Sequence, residues 1–133
     1  MIVDSSALIT IVKREPGWEI FSRALDSSKV IRLSAASFIE TAIVLDALRN
    51  PVVSTRFDEL IVNSEIVIEP VTVEQARTAR QAYRDYGKGS GHPAKLNFGD
   101  CFSYALARDK REAILFLGED FVHTDLRSAL DKG

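Results

Sequence analysis

The chain has 133 residues, of which 46% are hydrophobic and 27% are charged, values typical of one globular domain spanning residues 1–133. Its 17 basic and 19 acidic residues leave a net charge of −2, which argues against nucleic-acid binding through overall charge alone. A single cysteine excludes an internal disulfide and disfavours a thiolate metal cage, and no apolar run approaches the roughly 20 residues that span a membrane. Because no signal peptide is visible, we expect a soluble cytoplasmic domain with no membrane segment.

Short apolar runs alternate with longer segments that have helical spacing. The short runs are interpreted as buried parallel strands: Ile2–Val3, Val30–Leu33, Ile66–Ile68 and Ala113–Leu117. The predicted helices are Ala7–Lys13, Trp18–Leu25, Ala36–Leu48, Val52–Asn63, Glu74–Tyr86 and Phe98–Arg108. This alternation predicts an α/β fold with a parallel sheet and right-handed crossovers.

Several residues indicate where helices begin and how they are connected. Pro16 and Pro51 fit first-turn helix positions, and Thr72 with Gln75 has the spacing of a capping box. The segment GKGSGHP, residues 87–93, is interpreted as a flexible connection between two helices.

The segment NFGDCFSYALA, residues 97–107, is typical of a helix built mainly for burial. Its predicted buried face consists of Phe98, Cys101, Phe102, Ala105 and Leu106. Asp100 interrupts this apolar set. A local explanation is a first-turn acid at the positive end of the helix dipole, with Asn97 as the N-cap.

Four acidic residues fall at one predicted edge of the sheet, where strands end or helices begin. They are Asp4, Glu40, Asp100 and Asp120. Each has a local alternative: Asp4 fits an N-cap and Asp120 a turn, while Glu40 fits a capping box begun by Ser37. No Lys or Arg adjoins any of them in sequence, so carboxylates gathered here would repel one another, and a divalent cation is their natural partner. Oxygen ligands favour Mg²⁺ or Mn²⁺ over Zn²⁺.

With these segments in order, the sequence resembles the PIN-domain ribonucleases, most closely the VapC-type toxins of bacterial toxin–antitoxin pairs. The resemblance covers nearly the whole chain, through VDSSAL, SAASFIETAIVL, NFGDCFSYALA and LFLGEDFVHTDL. It implies a three-layer α/β/α domain with a short parallel sheet. It also implies Mg²⁺- or Mn²⁺-dependent endonucleolytic cleavage of RNA that leaves a 5′-phosphate and a 3′-hydroxyl.

The resemblance assigns roles to particular residues. Asp4, Asp100 and Asp120 would be mainly metal ligands, and Glu40 a ligand or a proton acceptor acting through water. Asp120 is preferred over the adjacent Glu119, since relatives keep the aspartate before phenylalanine.

Three further positions concern the surroundings of the acids. Ser6 matches a small polar residue that supports the first aspartate in the family, and Asn97 would support Asp100 from the helix start. Leu117 departs from the polar residue that many relatives have before the glycine, which affects a minor supporting contact.

Basic residues must supplement the metal if a net negative chain is to hold RNA. Arg77, Arg80 and Arg84 form one helical stripe, whose alternative interpretation is an ordinary solvated face. The preferred RNA-binding candidates lie on the connection leading into NFGD or just before it: Arg84, Lys88, His92 and Lys95.

Apolar residues on the first two predicted helices exceed what one buried face of each requires, although core packing is the default interpretation. These residues are Ile9, Ile11, Val12, Trp18 and Phe21. The resemblance implies that a cognate VapB-type antitoxin lays an apolar segment there and sends basic residues toward the carboxylates. It also implies a homodimer.

Other functions are weighed against this interpretation. A haloacid-dehalogenase-type phosphatase needs D-x-D after the first strand, where this chain has Asp4 followed by Ser5 and Ser6. A metal-free ribonuclease would need a histidine acid–base pair, for which only His92 and His123 are available. The main alternative is a PIN-like binding or scaffold domain with weak nuclease activity, against which the four intact acids argue.

Overall fold

A computed structural model describes residues 1–131, and a four-stranded parallel sheet lies at its centre. The strands are β1 (Ile2–Val3), β2 (Arg32–Ser34), β3 (Val67–Glu69) and β4 (Ile114–Leu115), in the spatial order β3-β2-β1-β4. All four predicted strands are confirmed, and the last three begin one or two residues later than predicted. The expectation that all are buried is wrong for β3, because it is an edge strand whose Val67 and Ile68 are exposed.

The six predicted helices are also present, with small shifts at their ends. They are α1 (Ser5–Lys13), α2 (Trp18–Ser27), α3 (Ala35–Asp46), α4 (Pro51–Asn63), α5 (Val73–Tyr86) and α6 (Phe98–Lys110). Helices α1 to α4 pack on one face of the sheet, and α5 and α6 pack on the other. The predicted three-layer α/β/α architecture is therefore confirmed.

Alternation along the short central strands divides the core into two parts. In β1, Val3 packs with α1 to α4, whereas Ile2 packs with α5 and α6. In β4, Leu115 and Ile114 divide in the same way. Because successive strand residues point to opposite faces, two consecutive apolar residues suffice to hold both helical layers.

Two of the predicted helix starts are confirmed, and a third is wrong. Pro51 is the first residue of α4, after the Asn50 N-cap, and the Thr72 side chain accepts from the Gln75 backbone N–H at 3.0 Å. Pro16 is not in a first turn, because α2 begins only after Gly17, whose φ of +90° is a left-handed conformation suited to glycine.

The capping box at the start of α5 is incomplete. The Gln75 side chain does not return to Thr72 but donates to Asp109 Oδ2 of α6 at 2.9 Å. This residue therefore joins two helices instead of closing one helix start.

The connection between α5 and α6 is tied at both ends. Lys88 N donates to Leu96 O and Leu96 N donates to Tyr86 O, both at 2.8 Å. The two ends of the connection are therefore hydrogen-bonded to each other. The connection was predicted to be plainly flexible, whereas the structure shows a loop that is closed by backbone hydrogen bonds at its ends. Within residues 1–131, no helix is both long and apolar enough to cross a membrane.

Candidate active site

Asp4 lies where β1 ends, and it is the N-cap of α1. Its Oδ2 accepts from the Ser6 backbone N–H at 3.1 Å and from the Ser6 hydroxyl at 2.7 Å. Its Oδ1 accepts from the Ser103 hydroxyl of α6 at 2.6 Å. The local alternative, an N-cap, is thus correct, but a cap requires only one of these contacts, and the carboxylate is also buried.

Asp100 lies in the first turn of α6 and forms a reciprocal capping box with Asn97. The Asp100 backbone N–H donates to Asn97 Oδ1 at 2.9 Å, and the Asn97 backbone N–H donates to Asp100 Oδ2 at 3.0 Å. The side chain is only 8% exposed. Burial, with further contributions from the neighbouring carboxyls of Asp120 and Asp4, raises the pKa of Asp100 to about 8, against a backbone hydrogen bond that lowers it.

The buried face of α6 differs from the predicted one at its first turn. Cys101, Ala105 and Leu106 are buried as expected, and burial raises the pKa of the Cys101 thiol to about 11, which fits a packing role. Phe98, however, is 78% exposed, and Phe102 is half-buried with its ring edge against Phe98.

Glu40 approaches α6 from α3. Its Oε1 accepts from the Ser5 hydroxyl at 2.5 Å, and its carboxylate lies against Gly99, where any Cβ would collide with it. The glycine before Asp100 thus lets an acid from another helix rest on the first turn of α6. Glu40 is not a capping-box residue, because α3 begins after Ser34 and Ser37 is buried inside the helix.

Asp120 lies in the turn that follows β4. Ser6 attaches the start of this turn to Asp4, since its hydroxyl accepts from the Leu117 backbone N–H at 3.0 Å. The Leu117 side chain is not needed for that contact, so its departure from the family pattern leaves the attachment intact. Phe121 is buried and packs on Phe116, which places Asp120 half-buried while Glu119 is exposed. Asp120, and not Glu119, is among the groups that raise the pKa of Asp100.

The acids at this edge have no cationic partner. Across residues 1–131, no Lys, Arg or His nitrogen lies within 4.0 Å of a carboxylate oxygen of Asp4, Glu40, Asp100 or Asp120. We call these four residues the acidic site.

The oxygen ligands of the acidic site are those that a hard divalent cation prefers, but the side chains are not arranged around a single point. In the same described range, no three acidic, histidine or cysteine side chains stand in a ready coordination arrangement. Serine and backbone donors hold Asp4, and a serine hydroxyl holds Glu40, whereas Asp100 accepts from the Asn97 backbone N–H and is hydrogen-bonded to the Asp120 side chain. Buried carboxylate oxygens that lie near other acids and have no cation beside them fit Mg²⁺ or Mn²⁺ by their chemistry.

The predicted RNA-binding residues are placed differently from one another. Arg84, Lys88 and Lys95 are exposed, and none of them forms an ion pair within residues 1–131. His92 is partly buried instead, with its ring edge on Tyr86 and its Nδ1 accepting from the Ala94 backbone N–H at 3.1 Å. It shapes the loop.

The apolar residues near the amino terminus serve mainly the core. Ile11, Val12 and Phe21 are buried, which corrects the interpretation that these helices carry a surplus. A shallow groove of about 220 Å³ nevertheless remains between α1, α2 and α4, where Trp18 is half-buried beneath the Arg14 guanidinium.

Three residues of the site were missed from the sequence: Ser5, Ser37 and Ser103. For two of them the sequence contained a usable signal in their spacing from the acids. Ser37 lies three residues before Glu40, and Ser103 lies three residues after Asp100, in otherwise apolar helices.

Comparisons with known proteins agree with this fold. Residues 1–126 match the PIN-domain family. The chain is 57% identical to Ribonuclease VapC28 of Mycobacterium tuberculosis over 132 residues, which is 99% of each chain. The crystal structure of M. tuberculosis VapC20, described as a sarcin–ricin loop cleaving toxin, is similar with a TM-score of 0.73 at 18% identity, covering 94% of this chain and 95% of that one. A toxin–antitoxin complex from Klebsiella pneumoniae gives 0.69 at 16% identity, with coverages of 93% and 92%.

Proposed function

This chain belongs to the PIN-domain family and, within it, to the VapC ribonucleases, and from that premise we propose a divalent-metal mechanism for it as an endoribonuclease toxin. The carrying observation is the acidic site, where acids from four different segments meet without a cation. Acids that served only as caps would not need to converge, and their repulsion would cost stability. We propose that the protein acts on RNA in the cytoplasm.

The four residues of the acidic site have different proposed roles. Asp4, Asp100 and Asp120 would hold Mg²⁺ or Mn²⁺, since Asp4 and Asp100 are buried and the carboxyls of Asp4 and Asp120 both contribute to the raised pKa of Asp100. When bound, such an ion supplies activation of a water and neutralises charge that develops on the phosphate. Glu40 is exposed at the mouth of the site, where its carboxylate can take the proton of the attacking water. Attack on phosphorus with departure of the 3′-oxygen leaves a 5′-phosphate and a 3′-hydroxyl.

RNA would be held by the exposed cations beside the acidic site. Arg84 and Lys88 lie at the end of α5 and the start of the following loop, and Lys95 lies just before the Asn97 cap. Because none of the three forms an ion pair in the described chain, each is free to contact a phosphate. His92 is assigned a part in loop shape, with RNA contact secondary.

We further propose that a VapB-type antitoxin occupies the groove between α1, α2 and α4. Trp18 and Leu60 give this groove an apolar floor, while Arg14, Arg56 and Glu59 give it a charged rim. An apolar antitoxin segment seated there could extend basic residues toward the acidic site. Trp18→Ala is expected to weaken a co-purified complex at least tenfold, because a buried aromatic anchor dominates such interfaces.

The homodimer is proposed from exposed apolar side chains near the acidic site. Ile39 and Ile43 on α3 are exposed, and so is Phe98, which adjoins the Gly99 contact with Glu40. Light scattering should show a dimer for wild type and a monomer for Ile43→Asp. Val62→Asp on α4, where Val62 is 72% exposed, is the matched control and should remain dimeric.

The proposed function is tested with purified protein, free of antitoxin, on total RNA with and without EDTA. We expect cleavage that EDTA abolishes and that added Mg²⁺ or Mn²⁺ restores. Cleavage that persists in EDTA, or in Asp4→Ala and Asp100→Ala variants, would contradict the metal mechanism. Wild-type protein that binds antitoxin but cleaves no RNA would favour a scaffold function.

A further inference from the structure

Two buried serines connect the acidic site to the helices behind it. Ser103 on α6 is 0% exposed and Ser37 on α3 is 1% exposed, and their hydroxyl oxygens are 3.2 Å apart. The Ser103 hydroxyl also contacts Asp4 Oδ1 at 2.6 Å. A line of hydrogen bonds thus runs from α3 through α6 to the end of β1.

The direction of this line follows from counting hydrogens. A serine hydroxyl has one hydrogen, and an ionised carboxylate can only accept. Ser103 therefore donates to Asp4, and the hydrogen between the two serines must come from Ser37. Ser37 orients Ser103, and Ser103 orients Asp4. We call this ordered pair the serine relay.

The serine relay is placed to fix the geometry between the acids. Ser103 lies one helical turn after Asp100, and Ser37 lies one turn before Glu40. Both helices that bring an acid to the site thus also contribute a hydroxyl behind Asp4. Since the relay is sealed from solvent, water cannot readily replace a missing hydroxyl there.

The rest of the Asp4 side chain is held independently. Its other oxygen, Oδ2, is bonded to the backbone and hydroxyl of Ser6. Loss of Ser103 would therefore leave the N-cap of α1 in place while freeing Oδ1. The relay is separable from folding in a way that the cap is not.

We propose that Ser103, oriented by Ser37, is a positioning residue that holds Asp4 Oδ1 for a divalent cation. The inference rests on the proposed function, because it assumes that Asp4 is a ligand. Partners that hydrogen-bond to a ligating carboxylate typically contribute about 10-fold or more to metal affinity.

The test measures Mn²⁺ affinity by titration calorimetry on full-length protein without RNA. We expect Ser103→Ala to weaken Mn²⁺ binding about tenfold and Ser37→Ala about threefold. In the Ser103→Ala background, Ser37→Ala should have no further effect, because Ser37 acts only through Ser103. A merely structural role would instead lower the melting temperature of both variants and leave their Mn²⁺ affinity at the wild-type value, because contacting residues couple in stability whatever their function.

Ser34 offers a matched control. It is buried like the relay serines, but its hydroxyl has no hydrogen-bond partner among residues 1–131. Ser34→Ala should therefore bind Mn²⁺ as wild type does. Circular dichroism and melting temperature confirm that each variant is folded, and should Ser103→Ala fail to fold, the Ser37→Ala loss relative to Ser34→Ala decides the matter.

The outcomes separate the two proposals. If wild type binds Mn²⁺ and the Ser103→Ala and Ser37→Ala variants bind it with the same affinity, the serine relay is overturned and the proposed function stands. Wild type that binds no Mn²⁺ overturns the metal mechanism, and the relay falls with it. A tenfold loss in Ser103→Ala, with Ser34→Ala unchanged, supports both.

Discussion

The acidic site and a second group of acids, around Arg32, use the same residue types to opposite effect. Arg32 donates to Glu112 at 2.9 Å and to Glu69 at 2.8 Å, and Glu112 also binds the amino group of Met1. Although burial acts to raise the pKa of Glu112, hydrogen bonds and charges from Met1 and Arg32 hold it below its usual value. The same bonds raise the pKa of Arg32. We call this group the Arg32 cluster.

In the acidic site no cation opposes burial within residues 1–131, and only the backbone hydrogen bond from Asn97 lowers the pKa of Asp100. The pKa of Asp100 rises to about 8 because burial and its neighbours Asp120 and Asp4 act in the same direction. Desolvation is therefore common to both regions, and the presence of a cation decides the outcome. The Arg32 cluster carries its cations within the chain, whereas the acidic site has none among residues 1–131, and we propose that it takes one from solution.

The largest expected effect is on catalysis. Asp4→Asn should lower RNA cleavage by on the order of 100-fold or more, because an amide cannot replace a charged ligand of a catalytic ion. Asparagine caps helices as well as aspartate, so the fold is expected to survive. The measurement is the initial rate of RNA cleavage at saturating Mg²⁺.

Glu112→Gln provides the matched control from the Arg32 cluster. It removes one carboxylate charge, as Asp4→Asn does, but should retain nearly full activity per folded molecule. Equal losses in the two variants would remove the distinction between a functional and a structural group of acids.

Next in size is the effect of Asp100 on the stability of the metal-free protein. Between its usual pKa of 3.8 and its folded pKa of about 8, the folded state keeps a proton that the unfolded chain has lost. Stability should therefore fall as pH rises through this interval. Asp100→Asn has no such proton to lose, so its melting temperature in EDTA should exceed that of wild type more at pH 8 than at pH 5. If the melting temperatures of wild type and Asp100→Asn changed in parallel with pH, the surroundings would not raise the pKa of Asp100.

A smaller effect is expected where cations outside the acidic site meet RNA. Lys88→Ala should weaken RNA binding by about threefold and reduce the slope of log affinity against log salt by about one. The control variant Lys13→Ala also removes one positive charge. Because Lys13 is already paired with Glu15 at 3.7 Å, this variant should leave the salt slope of RNA binding unchanged. A change of slope in both variants would indicate a general charge effect.

The smallest effect concerns acid stability and the Arg32 cluster. Because the folded pKa of Glu112 lies below its usual value of 4.5, its stabilising contribution is full above that pH and is lost as pH falls through the folded pKa. Glu112→Gln should thus lower the melting temperature by about 3 °C at pH 7, and by less at pH 3. An equal decrease at both values would show that the carboxylate charge does not matter.

Local rules sufficed to predict the positions of Asp4 and Asp100. A carboxylate directly after a short apolar run must lie at the carboxyl end of a strand, and Asn97 before an apolar segment predicts a helix start. Both residues do cap helices, yet neither is explained by the cap alone. Capping and a functional role were treated as alternatives, but the structure shows that the caps do not exclude the proposed role, because both capping side chains are also buried beside other acids.

What local rules could not supply was contact between distant segments. Ser37 was interpreted as the start of a capping box, whereas its hydroxyl meets Ser103, 66 residues away in sequence. Phe98 was assigned to a buried face because helical periodicity cannot reveal that its side chain lies outside the core, although Asp100 and Cys101 in the same turn are buried. Such facts depend on which helices meet, and a single sequence does not encode that in its spacing.

The central claim is that the acidic site binds a divalent cation through Asp100 together with Asp4. The most direct test is calorimetric titration of the metal-free protein with Mn²⁺, comparing wild type with Asp100→Asn, Asp4→Asn and Glu112→Gln. We expect wild type and Glu112→Gln to bind Mn²⁺ with the same affinity, Mg²⁺ to compete for the site, and the Mn²⁺ affinity of both aspartate variants to fall about tenfold or more. Equal Mn²⁺ affinity in all four proteins, or no binding in wild type that still cleaves RNA, would contradict it.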